Sequence, residues 1–132
     1  MCEPTQAKPL LREMLAHGAD PIGDATQAHM VAIDARAPLY DGGICTRIDC
    51  VSLGVVVNRE ARRFYDEGED FWPKRYAIWG RLVAQQPGQI AYSIIDAKAI
   101  GRFMPPVFPG IKADSLPELA QKLGLDVNTF MH

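Results

Sequence analysis

The sequence predicts an α+β domain of mixed short strands and helices. β-branched runs of strand length recur between segments of helical period, and the two do not alternate as regular βαβ units would. A length of 132 residues, with 48% hydrophobic and 23% charged side chains, suits one domain spanning residues 1–132 with a real core.

The elements follow in chain order. Leu10, Leu11, Met14 and Leu15 recur at helical spacing within Pro9–Gly18, and Gly18 is a natural stop. Ala28–Ile33 reads as a short strand, and Ala35–Gly43, with Pro38 and Asp41-Gly42-Gly43, as a loop. Cys50–Asn58 holds Val51, Leu53, Val55, Val56 and Val57, the composition of a buried strand. Asn58-Arg59-Glu60-Ala61 supplies turn chemistry, so Arg62–Asp66 should return as the second arm of a hairpin. Trp72–Gln86 is the clearest helix, with Pro73 in its first turn, Asp70 ahead of it and Pro87-Gly88 ending it. Gln89–Asp96 is a strand, Ala97–Phe103 a short helix, and Met104–Gly110, with its prolines, an irregular connection. Ser115-Leu116-Pro117-Glu118 is a capping box opening a helix that runs to Gly124. Asp126 caps a last helix from Val127. At His132 that helix is barely two turns long, too short to support itself, so the sequence reads as a piece of a longer chain.

Charge and composition exclude several function classes. A net charge of −2 offers no basic field for nucleic acid or anionic lipid. No apolar run approaches the roughly 18 residues of a membrane span. The start, MCEPTQAKPLL, lacks the basic and apolar parts of a secretory signal, and Cys2, Cys45 and Cys50 lack framework or zinc-site spacing; both point to reduced thiols and a cytoplasmic setting. No G-x-G-x-x-G follows a strand, no phosphate-binding G-x-x-x-x-G-K-[ST] occurs, and H-E-x-x-H is missing. No complete active site can be assembled from these residues, and no metal site is expected.

The dense feature is polar. Thr46-Arg47 precedes the valine run. Arg62, Arg63, Asp66, Glu67, Glu69 and Asp70 crowd the segment before the long helix, and Lys74-Arg75 fall on its first turn. Guanidinium groups fork onto carboxylates with parallel hydrogen bonds, so such a cluster suits a small polyanionic substrate as well as a solvated surface of ion pairs.

The run VVVNREARRFYDEGEDFWPKRYAIWG (Val55–Gly80) resembles the V-N-x-x-G-x-R-F-x-x-E segment of the fumarate reductase and succinate dehydrogenase flavoprotein family. Asp66–Asp96 is most similar to its tricarballylate-oxidising members, and Ala113–Asp126 is similar to the segment that leads from cap to flavin domain. The resemblance extends from Gly18 to the C-terminus and is most specific over Val55–Asp96. It implies a substrate-capping domain of the type that closes over a separate FAD-binding domain of the same chain, with a dicarboxylate or tricarboxylate held between them. It also implies hydride transfer between substrate and flavin N5, with a cap arginine handling the proton. FAD would be bound by the flavin domain and not by these residues, so the isolated cap should be inactive.

Carried over by position, Arg75 matches the catalytic arginine. With a guanidinium pKa above 12, it would need reloading by a neighbouring acid, for which Glu67, Glu69 and Asp70 are the candidates. Thr46 matches the threonine of a T-E-x-x-R-G substrate motif. The run here is Thr46-Arg47-Ile48-Asp49-Cys50, without the glutamate and the later arginine. Arg47 would then serve one more carboxylate, as a tricarboxylate needs. His29, downstream of Gly18-Ala19, falls near the family's substrate-binding histidine and can hydrogen-bond a carboxylate. Trp79, with Leu82 and Val83, is assigned to the core face, as are Phe64 and Tyr65 in part.

A change of substrate within the flavoprotein family, for example to a ketosteroid, is opposed by the arginine-rich cluster, and two readings outside that family remain. One is a freestanding polycarboxylate-binding module. The other is a protein-interaction module, which calls for an exposed apolar patch beside the charged cluster and indifference to tricarboxylates.

Overall fold

A computed structural model describes residues 4–23, 29–48, 50–69 and 72–132, with the side chains of residues 4–8 and 72–75 outside the description. The helices are α1 (Pro4–Ala16), α2 (Trp72–Ala84), α3 (Leu116–Leu123) and α4 (Val127–Phe130), and the strands are β1 (Val55–Asn58) and β2 (Ala91–Ile94). Helices combined with a small antiparallel sheet make this an α+β domain.

The sheet divides the core in two. β1 and β2 pair with Val55 opposite Ile94, Val56 opposite Ser93, Val57 opposite Tyr92 and Asn58 opposite Ala91. Because side chains alternate across a strand, Val57, Tyr92 and Ile94 share one face and Val56 and Ala91 the other. The first face packs on α3 and α4 through Ala61, Ala120, Leu125 and Phe130. The second packs on α2 through Val51 and Trp79, with Phe64, Tyr65 and Leu82 around them.

The C-terminal helices follow the local code. Ser115 Oγ accepts the Glu118 N–H, and Glu118 Oε2 accepts from the Asp114 N–H, one residue outside the usual capping box. Gly124 closes α3 in the left-handed region at φ 69°, and Asp126 Oδ1 takes the Thr129 N–H to start α4.

Elsewhere the sequence expectations are corrected. Helix α1 begins at Pro4, ahead of Pro9, which lies inside it. The expected strand Cys50–Asn58 pairs only from Val55, because Val51–Leu53 form a 3-10 turn. Gly54 marks the change: a Cβ there would sit 2.2 Å from the Ile94 carbonyl oxygen, so the sheet starts against a residue without a side chain. The arm Arg62–Asp66 is reduced to one bridge, Val57 to Arg63. The outward N–H groups of β1 are met instead by the Glu67 carboxylate at Val56 and the Arg62 carbonyl at Asn58. Ala28 lies outside the described residues, and the rest of its expected strand forms a single bridge, Ile33 to Arg47. Of Ala97–Phe103, only Ala97–Ala99 make a 3-10 turn, with Asp96 accepting the Lys98 N–H. Strand β2 is shorter than Gln89–Asp96, and α2 stops at Ala84, where the Gln85 and Gln86 amides tighten onto Leu82 and Val83 before Gly88 turns at φ 68°.

Candidate functional site

The candidate site is built where two extended segments cross α2. Met30 donates its N–H to the Ala77 carbonyl at 2.8 Å, and the Gly80 N–H donates to the Met30 carbonyl at 3.0 Å. The crossing depends on Gly80, since a Cβ there would lie 2.7 Å from both Met30 C and Val31 O. Backbone resting directly on a helix needs such a notch.

This crossing places His29 against Tyr76, edge to face, with ring centroids 5.2 Å apart. The second segment is held to the first by Asp34 N–H to Thr46 O at 2.8 Å and Ile48 N–H to Ala32 O at 3.0 Å. It brings the Arg47 guanidinium carbon to 5.3 Å from the Tyr76 ring centre, within cation–π range. His29 and Arg47 are 18 positions apart in sequence and meet on one phenol ring.

The remaining sequence-predicted residues divide. Arg75 lies on the first turn of α2, next to Tyr76, but its side chain is outside the described residues, as is all of Asp70. Thr46 is buried and its hydroxyl donates to Asp41 Oδ2, which also accepts the Gly43 N–H at 2.7 Å. The Thr46 hydroxyl, and next to it the Gly43 amide, hold the Asp41 carboxyl below its ordinary range. Thr46 therefore shapes the loop before Arg47, while its side chain is turned to Asp41. Glu69 accepts a hydrogen bond from the Tyr65 hydroxyl.

Glu67 closes the edge of β1. It is buried; Oε1 takes the Val56 N–H at 2.6 Å and Oε2 takes Arg63 Nη2. Burial pushes its carboxyl up, but the Arg63 bond and the Val56 amide outweigh that, and the net shift is downward. A depressed folded pKa gives stability that is present above the unfolded value, about 4.3, and is lost as pH falls through the folded one. Arg63 is largely exposed, so solvent screens the pair. Glu67→Gln is thus expected to lose about 1 kcal/mol at pH 7 in urea melts, with the gap from the parent chain shrinking once pH drops below about 4. A gap that persists unchanged at pH 3 would contradict this assignment.

Tyr76 and Gly80 are the residues sequence reasoning missed. Their signal was the i, i+4 spacing inside WPKRYAIWG, which places an aromatic and a notch one turn apart on one helix face. Trp79, expected in the core, is there at 4% exposure, edge to face with Phe64 and Tyr65 at 6.2 and 5.6 Å.

Arg36 braces the far side of the crossing. Its guanidinium pairs with Asp34 at 2.6 Å, donates to the Phe108 and Pro109 carbonyls, and lies 5.2 Å from the Phe108 ring centre. This ties the proline-rich connection to the segment that carries Ile33. A separate cleft of about 780 Å³ opens on the α3/α4 side of the sheet. No described helix is long and apolar enough to cross a membrane.

An imidazole and a guanidinium converging on a phenol ring form a surface suited to carboxylates, since all three groups can donate hydrogen bonds and the guanidinium adds charge. Comparison with protein-family models, curated proteins and solved structures gave no match for this chain.

Proposed function

We propose that the chain is the substrate-capping domain of an FAD-dependent dehydrogenase acting on a small polycarboxylate, of the tricarballylate dehydrogenase kind. The observation that carries this reading is the meeting of His29 and Arg47 on Tyr76, next in sequence to Arg75. The Val55–Gly80 likeness to the fumarate reductase and succinate dehydrogenase flavoproteins supplies the reaction class. In this reading His29 and Arg47 bind substrate carboxylates, Thr46 positions Arg47 through the Asp41 loop, and Arg75 is the catalytic arginine. With Glu67 holding the β1 edge, Glu69 and Asp70 are left as the acids to serve it.

The chain's own residues do not fit FAD. The sequence has no G-x-G-x-x-G motif, and among the described residues β1 runs into the Asn58–Ala61 turn rather than a helix N-terminus. The flavin is therefore assigned to a flavin-binding domain of the same parent chain. The cap would contribute substrate grip, orientation and exclusion of water.

Calorimetric titration tests the binding part of this reading. Tricarballylate should bind the chain, and Arg47→Glu should weaken it about tenfold or more, or at least about 1.4 kcal/mol, with the far-UV spectrum unchanged. Succinate, with one carboxylate fewer, should bind more weakly and lose less. Tricarballylate binding that ignores the Arg47 substitution, or no binding at all, would overturn the reading.

A further inference from the structure

Arg47 borders two places. Its guanidinium carbon lies 5.3 Å from the Tyr76 ring centre, and the residue also lines a small pocket of about 40 Å³. Cys45 and Cys50 belong to the same chain segment as Arg47 in that lining, and Met104, Pro105 and Pro106 supply a second wall. Cys50 is buried while Cys45 and Met104 are exposed, so the pocket runs from a solvent mouth to a closed base. A cavity needs roughly 10–15 Å³ to hold one water, so this one takes about three heavy atoms, the size of a carboxylate. Among the described residues, Arg47 is the charged member of the lining, and no carboxylate competes with a ligand for it there.

The second wall is braced against the first. Pro105, Pro106 and Pro109 restrict the backbone of this connection. The Arg36 guanidinium donates to the Phe108 carbonyl at 3.1 Å and the Pro109 carbonyl at 2.8 Å, and lies over the Phe108 ring. The same guanidinium pairs with Asp34, whose own N–H donates to the Thr46 carbonyl, one residue before Arg47. A short relay of contacts thus ties the proline-rich connection to the segment that carries Arg47.

We infer that this pocket is the subsite for one carboxylate arm of a branched polycarboxylate, and that its Met104–Pro106 wall determines which acids fit. The inference rests on the polycarboxylate reading and extends it. The substrate's main chain lies on the Tyr76 surface, one arm enters the pocket, and Arg47 serves both. An unbranched diacid such as succinate has no arm to place there. Arg36 is a positioning residue: it touches no substrate and fixes the wall that the arm meets.

Thiol labelling and calorimetry on the full chain test the subsite together. Tricarballylate at ten times its Kd should slow alkylation of Cys45 by iodoacetamide about tenfold, read on the Cys45 peptide by mass spectrometry. Succinate at the same multiple of its own Kd should leave the rate unchanged. Met104 is 80% exposed, so Met104→Trp should keep the fold, crowd the mouth and weaken tricarballylate about tenfold without altering succinate. Arg36→Gln should show the same selectivity, whereas a role in stability alone would weaken both acids alike. Tricarballylate that binds by calorimetry but leaves Cys45 unprotected would overturn the subsite and leave the polycarboxylate reading standing. Equal weakening of both acids by Met104→Trp would do the same. Binding of neither acid would remove that reading, and the subsite with it.

Discussion

Trp79→Ala is expected to cost about 3–5 kcal/mol, against a total folding stability of about 5–15 kcal/mol for a domain. The α2 side of the core has Val51, Val56 and Trp79 as its buried residues, and the indole is the only large one among them. Its removal opens a cavity between α2 and the sheet and strands Phe64 and Tyr65, which meet its edge and face. Urea melts should show a midpoint low enough that the variant is partly unfolded at room temperature. A loss below about 1 kcal/mol would mean that α2 is not held to the sheet by this residue.

Gly80→Ala should be the next most damaging change, and its sign is diagnostic. In an exposed helix the substitution gains about 1 kcal/mol from backbone entropy. Here the new methyl would meet Met30 C and Val31 O, each 2.7 Å away, and backbone atoms cannot swing aside as a side chain can. A net loss of about 1–3 kcal/mol is expected, as for other overpacked positions. The same shift lifts the segment that carries His29 off Tyr76, so tricarballylate binding should fall along with stability. A variant more stable than its parent would show that the crossing does not rest on the helix as described.

Both residues show what a sequence can and cannot convey about this fold. Caps and turns are local, so Ser115, Gly124, Asp126 and Asn58 were legible from a few neighbouring letters. Trp79 was legible because helical spacing placed it beside Leu82. The segment 29–33 was legible only in part: its apolar alternation suggested a strand, but beyond the Ile33–Arg47 bridge and the Ala32 carbonyl that takes the Ile48 N–H, the Met30 backbone bonds to the Ala77 carbonyl and the Gly80 amide on α2. That arrangement is tertiary, and its only trace in the sequence is one glycine in a helix. The arm after Asn58 failed for a related reason, because the Glu67 side chain meets the Val56 amide that a paired strand would otherwise meet. In the site, residue type pointed to His29 and Arg47 separately. Their meeting on Tyr76 follows from the crossing and could not be read from spacing alone.

The most direct test of the polycarboxylate site is an amide chemical-shift titration of the labelled chain with tricarballylate. Shifts should concentrate at His29, Met30, Thr46, Arg47 and residues 75–77, saturate together, and vanish in Arg47→Glu. Shifts that cluster instead around Arg62, Arg63 and His132 at the cleft, or that fail to saturate anywhere, would contradict the assignment of the Tyr76 surface as the place where substrate is held.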